Sequence, residues 1–254
     1  MQITDISYWG VAVLVALTGL VIVLLALANR PMMHRLLKAG VVFLIHMLLL
    51  GGSFGLLCRL GCWWANVLWG VLMSVALAVF VLGKAHGRRQ QLLPAVIIAV
   101  LTGMAVGTGS LWACFRIDAG TGAFLAVMAL VQVQLYAALP LALQAYLGSV
   151  RHTNEHYLYL RANGATHLEA LMPSIRYALK ASVLPLAKGW VRPLVVTPPL
   201  LLCGLLMAGS SPVAAVLATV LASGAMLMAT VVAVVLLLWL ADYRLFVKLP
   251  RNSP

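Results

Sequence analysis

The stretch VAAVLATVLASGAMLMATVVAVVLLLWLA, residues 213–241, contains no charged side chain. A bilayer core is about 30 Å thick, and a helix crosses it with about 20 apolar residues. Nothing in lipid satisfies an open backbone, so a run of this length reads as a transmembrane helix. The rest of the chain follows the same pattern. Of its 254 residues, 64% are hydrophobic and 9% charged, and the mean hydropathy is +1.06. A soluble domain carries about 25% charged residues. Soluble globular, disordered and disulfide-scaffold classes are therefore excluded. The fold class expected is an all-α, polytopic integral membrane protein of a single domain, with no room for a separate enzymatic domain.

Working outward from that segment, apolar runs fall at about 8–28, 39–58, 63–82, 93–113, 121–147 and 193–210, ahead of 213–241. These predict about seven spans. The sixth is short and carries Pro193, Pro198 and Pro199 near its start, so an irregular segment is expected there. The charges test this layout. The chain has 17 Lys and Arg against 5 Asp and Glu, a net charge of +12. With the N-terminus outside, every base except Arg59 and Arg116 falls on the inner side, as basic cytoplasmic loops require. The C-terminus is then cytoplasmic, and the location expected is a bacterial inner membrane. Nucleic acid is not the partner this charge calls for. The first base, Arg30, follows the first apolar run rather than preceding it, unlike the order in a cleavable signal peptide.

The outer loops, at about 59–62, 115–120 and 210–212, are short. The loop at 148–192 is the one sizeable inner feature. Leu168, Leu171, Met172, Ile175, Leu179 and Val183 recur in it at helical period. Pro173 should end or kink a helix nearby. Two helical pieces are expected, one around 157–171 and one from about Ser174. A turn at Asn163-Gly164, followed by Thr166 as a helix cap, gives helix–turn–helix within the first. A basic amphipathic helix on anionic lipid and a helix docked in a protein groove both suit such a loop.

Here the residues bring a family into view. Gly164-Ala165-Thr166, then Glu169-Ala170, Pro173, and Arg176 to Ala181 through Pro185 resemble the coupling loop of ABC-transporter permeases. The resemblance is nearest to the FetB-type iron-export permeases. Gly204, Ala208-Gly209, Pro212 and Tyr243-Arg244-x-Phe246 extend it. It implies a permease subunit that exports a metal ion such as iron. It also implies a separate ATPase subunit, holding ATP and Mg, docked on the loop through Tyr159, Arg161, Gly164, Ala165, Thr166 and Glu169. Two copies, or this chain with a related one, would pair. The chain reads as a divergent member. Its sixth span has Leu200-Leu201-Leu202-Cys203-Gly204 where the family carries a Met- and hydroxyl-containing run, and Leu158 replaces a common glutamate.

The chain carries no phosphate-binding loop of its own. Its single Gly-Lys pair, Gly83-Lys84, has Ala78 and Ala85 at the positions that motif gives to Gly and Ser or Thr. No cofactor is expected on this chain. Polar groups within spans are costly and often functional. His46 and, in the fifth span, Gln132, Gln134 and Gln144 are such groups; interhelical hydrogen bonding is the plainer role of the glutamines. With Cys203 and Gly204, His46, Gln132 and Gln134 make a candidate translocation route. No metal-ligand set is evident. Cys58, Cys62 and Cys114 fall near the outer face, where a disulfide pair, soft metal ligands or idle thiols are all open. Gly51-Gly52-x-x-Gly55 and Gly103-x-x-x-Gly107 read as helix-packing features. The acids Asp5, Asp118, Glu155, Glu169 and Asp242 all lie at membrane edges or in loops. An intramembrane enzyme, which needs paired acids or metal ligands, is therefore disfavoured, and the chain reads as non-catalytic. An ATPase-independent secondary transporter and a structural membrane adaptor are the alternative functions.

Overall fold

The computed structural model describes residues 9, 12, 13, 15, 16, 18, 19, 30–83, 89–115, 121–152, 154–191 and 200–244. Among them are eight helices and no strand. They are α1 (Arg30–Leu60), α2 (Trp63–Gly83), α3 (Arg89–Phe115), α4 (Gly122–His152), α5 (Asn154–Ala162), α6 (His167–Val191), α7 (Leu200–Met207) and α8 (Pro212–Asp242). The protein is all-α and polytopic. Five segments are long and apolar enough to cross a membrane: Leu37–Leu60, Trp63–Gly83, Gln91–Phe115, Gly122–Arg151 and Pro212–Asp242. They match five of the expected spans. The first expected span, 8–28, lies largely outside the described residues. So does the proline-bearing start of the sixth, whose described part is the eight-residue α7.

The core is a bundle of α2, α3, α4 and α8, closed over one end by α6. Val96, Val100, Leu135, Leu139, Leu143 and Leu237 are fully buried in it. Small residues set the tightest approach. A Cβ placed on Gly103 would lie 2.7 Å from the Ala233 Cβ, and one on Gly107 would lie 2.6 Å from Val131 Cγ1 and 2.9 Å from the Ala229 Cβ. The Gly103-x-x-x-Gly107 pair of α3 thus packs on the Ala229-x-x-x-Ala233 pair of α8, as small-residue interfaces do in membranes. Gly51, Gly52 and Gly55 of α1 meet no such neighbour. Packing therefore uses one of the two glycine pairs, among the described residues.

These contacts also give the helix directions. Gly103 lies by Ala233 and Leu135, and Gly107 by Ala229 and Val131, so α3 runs antiparallel to both α8 and α4. Gly70 lies by Met128 and Phe80 stacks on Tyr136, so α2 runs parallel to α4. One end of the bundle therefore holds the C-terminal ends of α2, α4 and α8, and the hairpin of α5 and α6. Arg151, Arg161, Arg176, Lys180 and Arg244 belong to that end, whereas Arg59 lies at the other. The charge asymmetry of the sequence is thus an asymmetry between the two ends of the bundle.

The expected break between the two helical pieces of the loop is corrected. Pro173 does not end a helix: α6 is continuous through both Pro173 and Pro185. Proline removes one backbone bond, and packing along α4 and α8 holds the helix across the gap. The break comes earlier instead, between Ala162 and His167, so 157–171 is not one helical piece. The expected apolar row is covered except at Leu168, and small residues share the buried face with it. Ala170, Leu171, Ser174, Ala178 and Ser182 are buried, while Leu168 is exposed and Met172, Ile175, Leu179 and Val183 are half-buried. Ser174, Ala178 and Ser182 face the core where α6 lies close to its neighbours, with Leu171 beside them and Ile175 and Leu179 packed at the margin. Ser149 Oγ reaches Ser174 Oγ at 2.9 Å across that contact.

Candidate functional site

The α5–α6 hairpin is built by two complementary caps. At the end of α5, Gly164 has φ +88°. That left-handed conformation costs an L side chain about 1–2 kcal/mol and glycine almost nothing. It lets the Ala165 N–H reach the Leu160 carbonyl at 3.0 Å and the Gly164 N–H reach Arg161 at 3.2 Å. This is a Schellman closure. Asn163 Nδ2 donates to the Tyr159 carbonyl at 3.0 Å, and Arg161 Nη1 to the Ala165 carbonyl at 3.0 Å. At the start of α6, the Thr166 N–H donates to Glu169 Oε2 at 2.8 Å, and the Glu169 N–H to Thr166 Oγ1 at 3.3 Å. Together these form a capping box. The Thr166 amide, and then its hydroxyl, hold the Glu169 carboxyl below the usual carboxylate range.

The six loop residues singled out from the sequence therefore come together in one turn. Tyr159 is exposed, with Leu158 beside it and Leu168 across the turn. Arg161, Gly164, Thr166 and Glu169 are exposed as well, and Ala165 is half-buried. Arg161, Gly164, Ala165, Thr166 and Glu169 shape the turn by hydrogen bonds. Tyr159, Leu158 and Leu168 are the apolar groups it presents.

A second set of residues, missed in the sequence, anchors the hairpin. His167 Nε2 lies 3.0 Å from Asp242 Oδ2 and 3.1 Å from Oδ1. Tyr157 Oη lies 2.8 Å from His167 Nδ1, and the Tyr146 hydroxyl donates to Asp242 Oδ1 at 3.3 Å. A carboxylate can only accept, so Nε2 carries a proton, and in the neutral ring Nδ1 accepts from Tyr157. The four side chains belong to α4, α5, α6 and α8. Asp242 and His167 are partly covered, at 17% and 32% exposure, and Tyr146 is fully buried. One sequence signal pointed here: an acid at the edge of a span needs a partner, and His167 heads the neighbouring helix.

The candidate translocation residues do not converge. His46 is exposed on α1, where Nδ1 sits 2.7 Å from the Val42 carbonyl of its own helix. Gln132 and Gln134 are half-buried on either side of the buried Val131 and Leu135 row, and Gln144 is exposed. Half-buried Cys203 and exposed Gly204 lie on α7, which packs on α8 and touches neither α1 nor α4. All four cysteines are free thiols. Among the described residues no group of three or more His, Cys, Asp or Glu could hold a metal ion.

No curated protein and no solved structure matches the chain. A family model does, over residues 8–246, and its description is Uncharacterised protein family (UPF0014). That match spans nearly the whole chain and takes in the bundle, the hairpin and the His167–Asp242 anchor. With membrane-crossing helices beside it, the match makes this a membrane transport protein. The chain belongs to the UPF0014 family, that of the FetB-like ABC-transporter permeases.

Proposed function

We propose that the chain is the membrane-spanning permease subunit of an ABC transporter, driven by a separate ATPase subunit that docks on the α5–α6 hairpin. The observation that carries this reading is the hairpin itself. It is capped on both sides of its turn, carries exposed Leu158, Tyr159 and Leu168, and is tied to α4 and α8 through Tyr157, His167, Asp242 and Tyr146. Short helices with apolar anchors dock into grooves. A helix that is docked at one side and anchored to spans at the other acts as a lever between two conformations.

In this reading ATP and Mg belong to the partner, and this chain does no chemistry. Two copies pair, each docking one ATPase subunit. The cargo is a metal ion, with iron export favoured by the family resemblance. The N-terminus lies outside and the hairpin end of the bundle faces the cytoplasm of a bacterial cell, as the basic end requires.

The test is co-purification from native membranes, scored by identification of a P-loop ATPase and by ATP hydrolysis in the eluate. The wild-type chain should bring the ATPase down. Gly164→Trp with Glu169→Arg should lose it, because the first strains the turn and the second removes the capping carboxylate. Absence of an ATPase from both preparations would sink the proposal.

A further inference from the structure

The outward side of α6 carries a feature that ATPase docking does not use. Tyr177, Lys180, Ala181, Leu184, Pro185 and Lys188 line a shallow groove of about 280 Å³. These positions repeat at three and four residues, so they share one helix face. That face lies about 90° round the helix from the buried row of Ser174, Ala178 and Ser182. Its chemistry is mixed. Leu184 and Tyr177 are large, apolar and exposed, and a lysine stands toward each end. Trp190 is exposed near the end of the same helix. Tryptophan and tyrosine collect at the level of lipid headgroups.

Nothing within the described chain neutralises this face. Of the two acids whose side chains are described, Glu169 caps α6 and Asp242 holds His167. Neither Lys180 nor Lys188 forms an ion pair among the described residues. A second copy is a poor cover, since each chain has 17 bases and only 5 acids. A soluble anion would meet the lysines and leave Leu184 and Pro185 in water. An anionic phospholipid satisfies both halves: its phosphate meets the ammonium groups and its acyl chain covers the apolar floor.

We infer that the α6 groove bounded by Lys180 and Lys188 is a binding site for an anionic phospholipid, with Leu184 and Pro185 against the acyl chain. The phosphate lies between the two lysines, whose flexible stems reach to the headgroup while lying along the helix. Retention of the lipid would hold α6 at the membrane boundary whatever occupies the hairpin.

The test is native mass spectrometry of the full chain in detergent, titrated with phosphatidylglycerol or phosphatidylcholine. The wild type should bind phosphatidylglycerol about tenfold more tightly than phosphatidylcholine, the order expected when two lysines near a membrane lose their anion. Lys180→Gln with Lys188→Gln should abolish that preference, and Lys180→Arg with Lys188→Arg should keep it. Leu184→Asn should weaken phosphatidylglycerol with both charges intact. Millimolar inorganic phosphate should not displace the lipid. An unchanged preference in the glutamine variant would overturn the proposal. So would displacement by phosphate alone, which would assign the lysines to a soluble anion.

Discussion

At the scale of single residues, the hairpin depends on a few replaceable groups. Thr166 accepts from the Glu169 N–H, and removing that acceptor as Thr166→Ala should cost about 1 kcal/mol of local stability. Amide exchange at 166–170 is the measurement, and the core of α4 should not change. Glu169 carries the pH dependence. Its folded pKa is depressed by the Thr166 bonds, so its contribution is present above the unfolded value and lost as pH falls through the folded one. Exchange protection at the start of α6 should therefore weaken on acidification into the carboxylate range. Glu169→Gln should flatten that dependence, since an amide oxygen still accepts from Thr166 N–H. Asp242→Ala removes the acceptor of Tyr146 and of His167 together. Leaving a buried hydroxyl without its partner costs about 1–3 kcal/mol, read as a lower Tm and faster exchange in both α5 and the end of α8.

At the scale of the elements, the bundle is decided where helices come closest. Gly107→Ala would bring a methyl group to 2.6 Å from Val131 Cγ1, and Gly103→Ala to 2.7 Å from the Ala233 Cβ. Overpacking of this kind costs about 1–3 kcal/mol, so each change should lower the detergent unfolding midpoint. Gly52→Ala meets nothing within 4 Å and replaces a poor helix former with a good one. It should leave the midpoint unchanged or raise it slightly. A matched loss at Gly52 would mean that α1 packs on something beyond the described residues. The same contrast shows why two glycine pairs that look alike in sequence differ in role. Their spacing permits close approach, and the partner helix decides whether it occurs.

Over the whole molecule, the basic end and the opposite end should lie on different sides of the membrane. Cys58 and Cys62 are exposed at the end that also carries Arg59. An impermeant thiol reagent added outside intact cells should label them. Asn163→Cys, on the hairpin, should be labelled only after permeabilisation. The reverse pattern would invert the orientation that places the hairpin against a cytoplasmic ATPase. Such labelling tests the topology independently of the co-purification experiment.

The class and five of the expected spans were legible in the chain itself. Apolar length, the absence of charges within 213–241 and the segregation of bases are local and additive properties, and the bilayer reads them segment by segment. The turn at Asn163-Gly164 and Thr166 as a cap were equally plain, because caps join residues within one turn. What the tertiary structure alone decided involves distant partners. His167 and Asp242 are 75 positions apart, and neither signals the other. The continuity of α6 through Pro173 depends on helices that hold it from outside. Its buried face combines Leu171 with Ser174, Ala178 and Ser182, small residues that suit the close approach to α4. His46, Gln132, Gln134 and Cys203 looked like one route because all are polar groups in spans. Within the single chain they sit on helix faces that do not meet, and only packing sets which faces do.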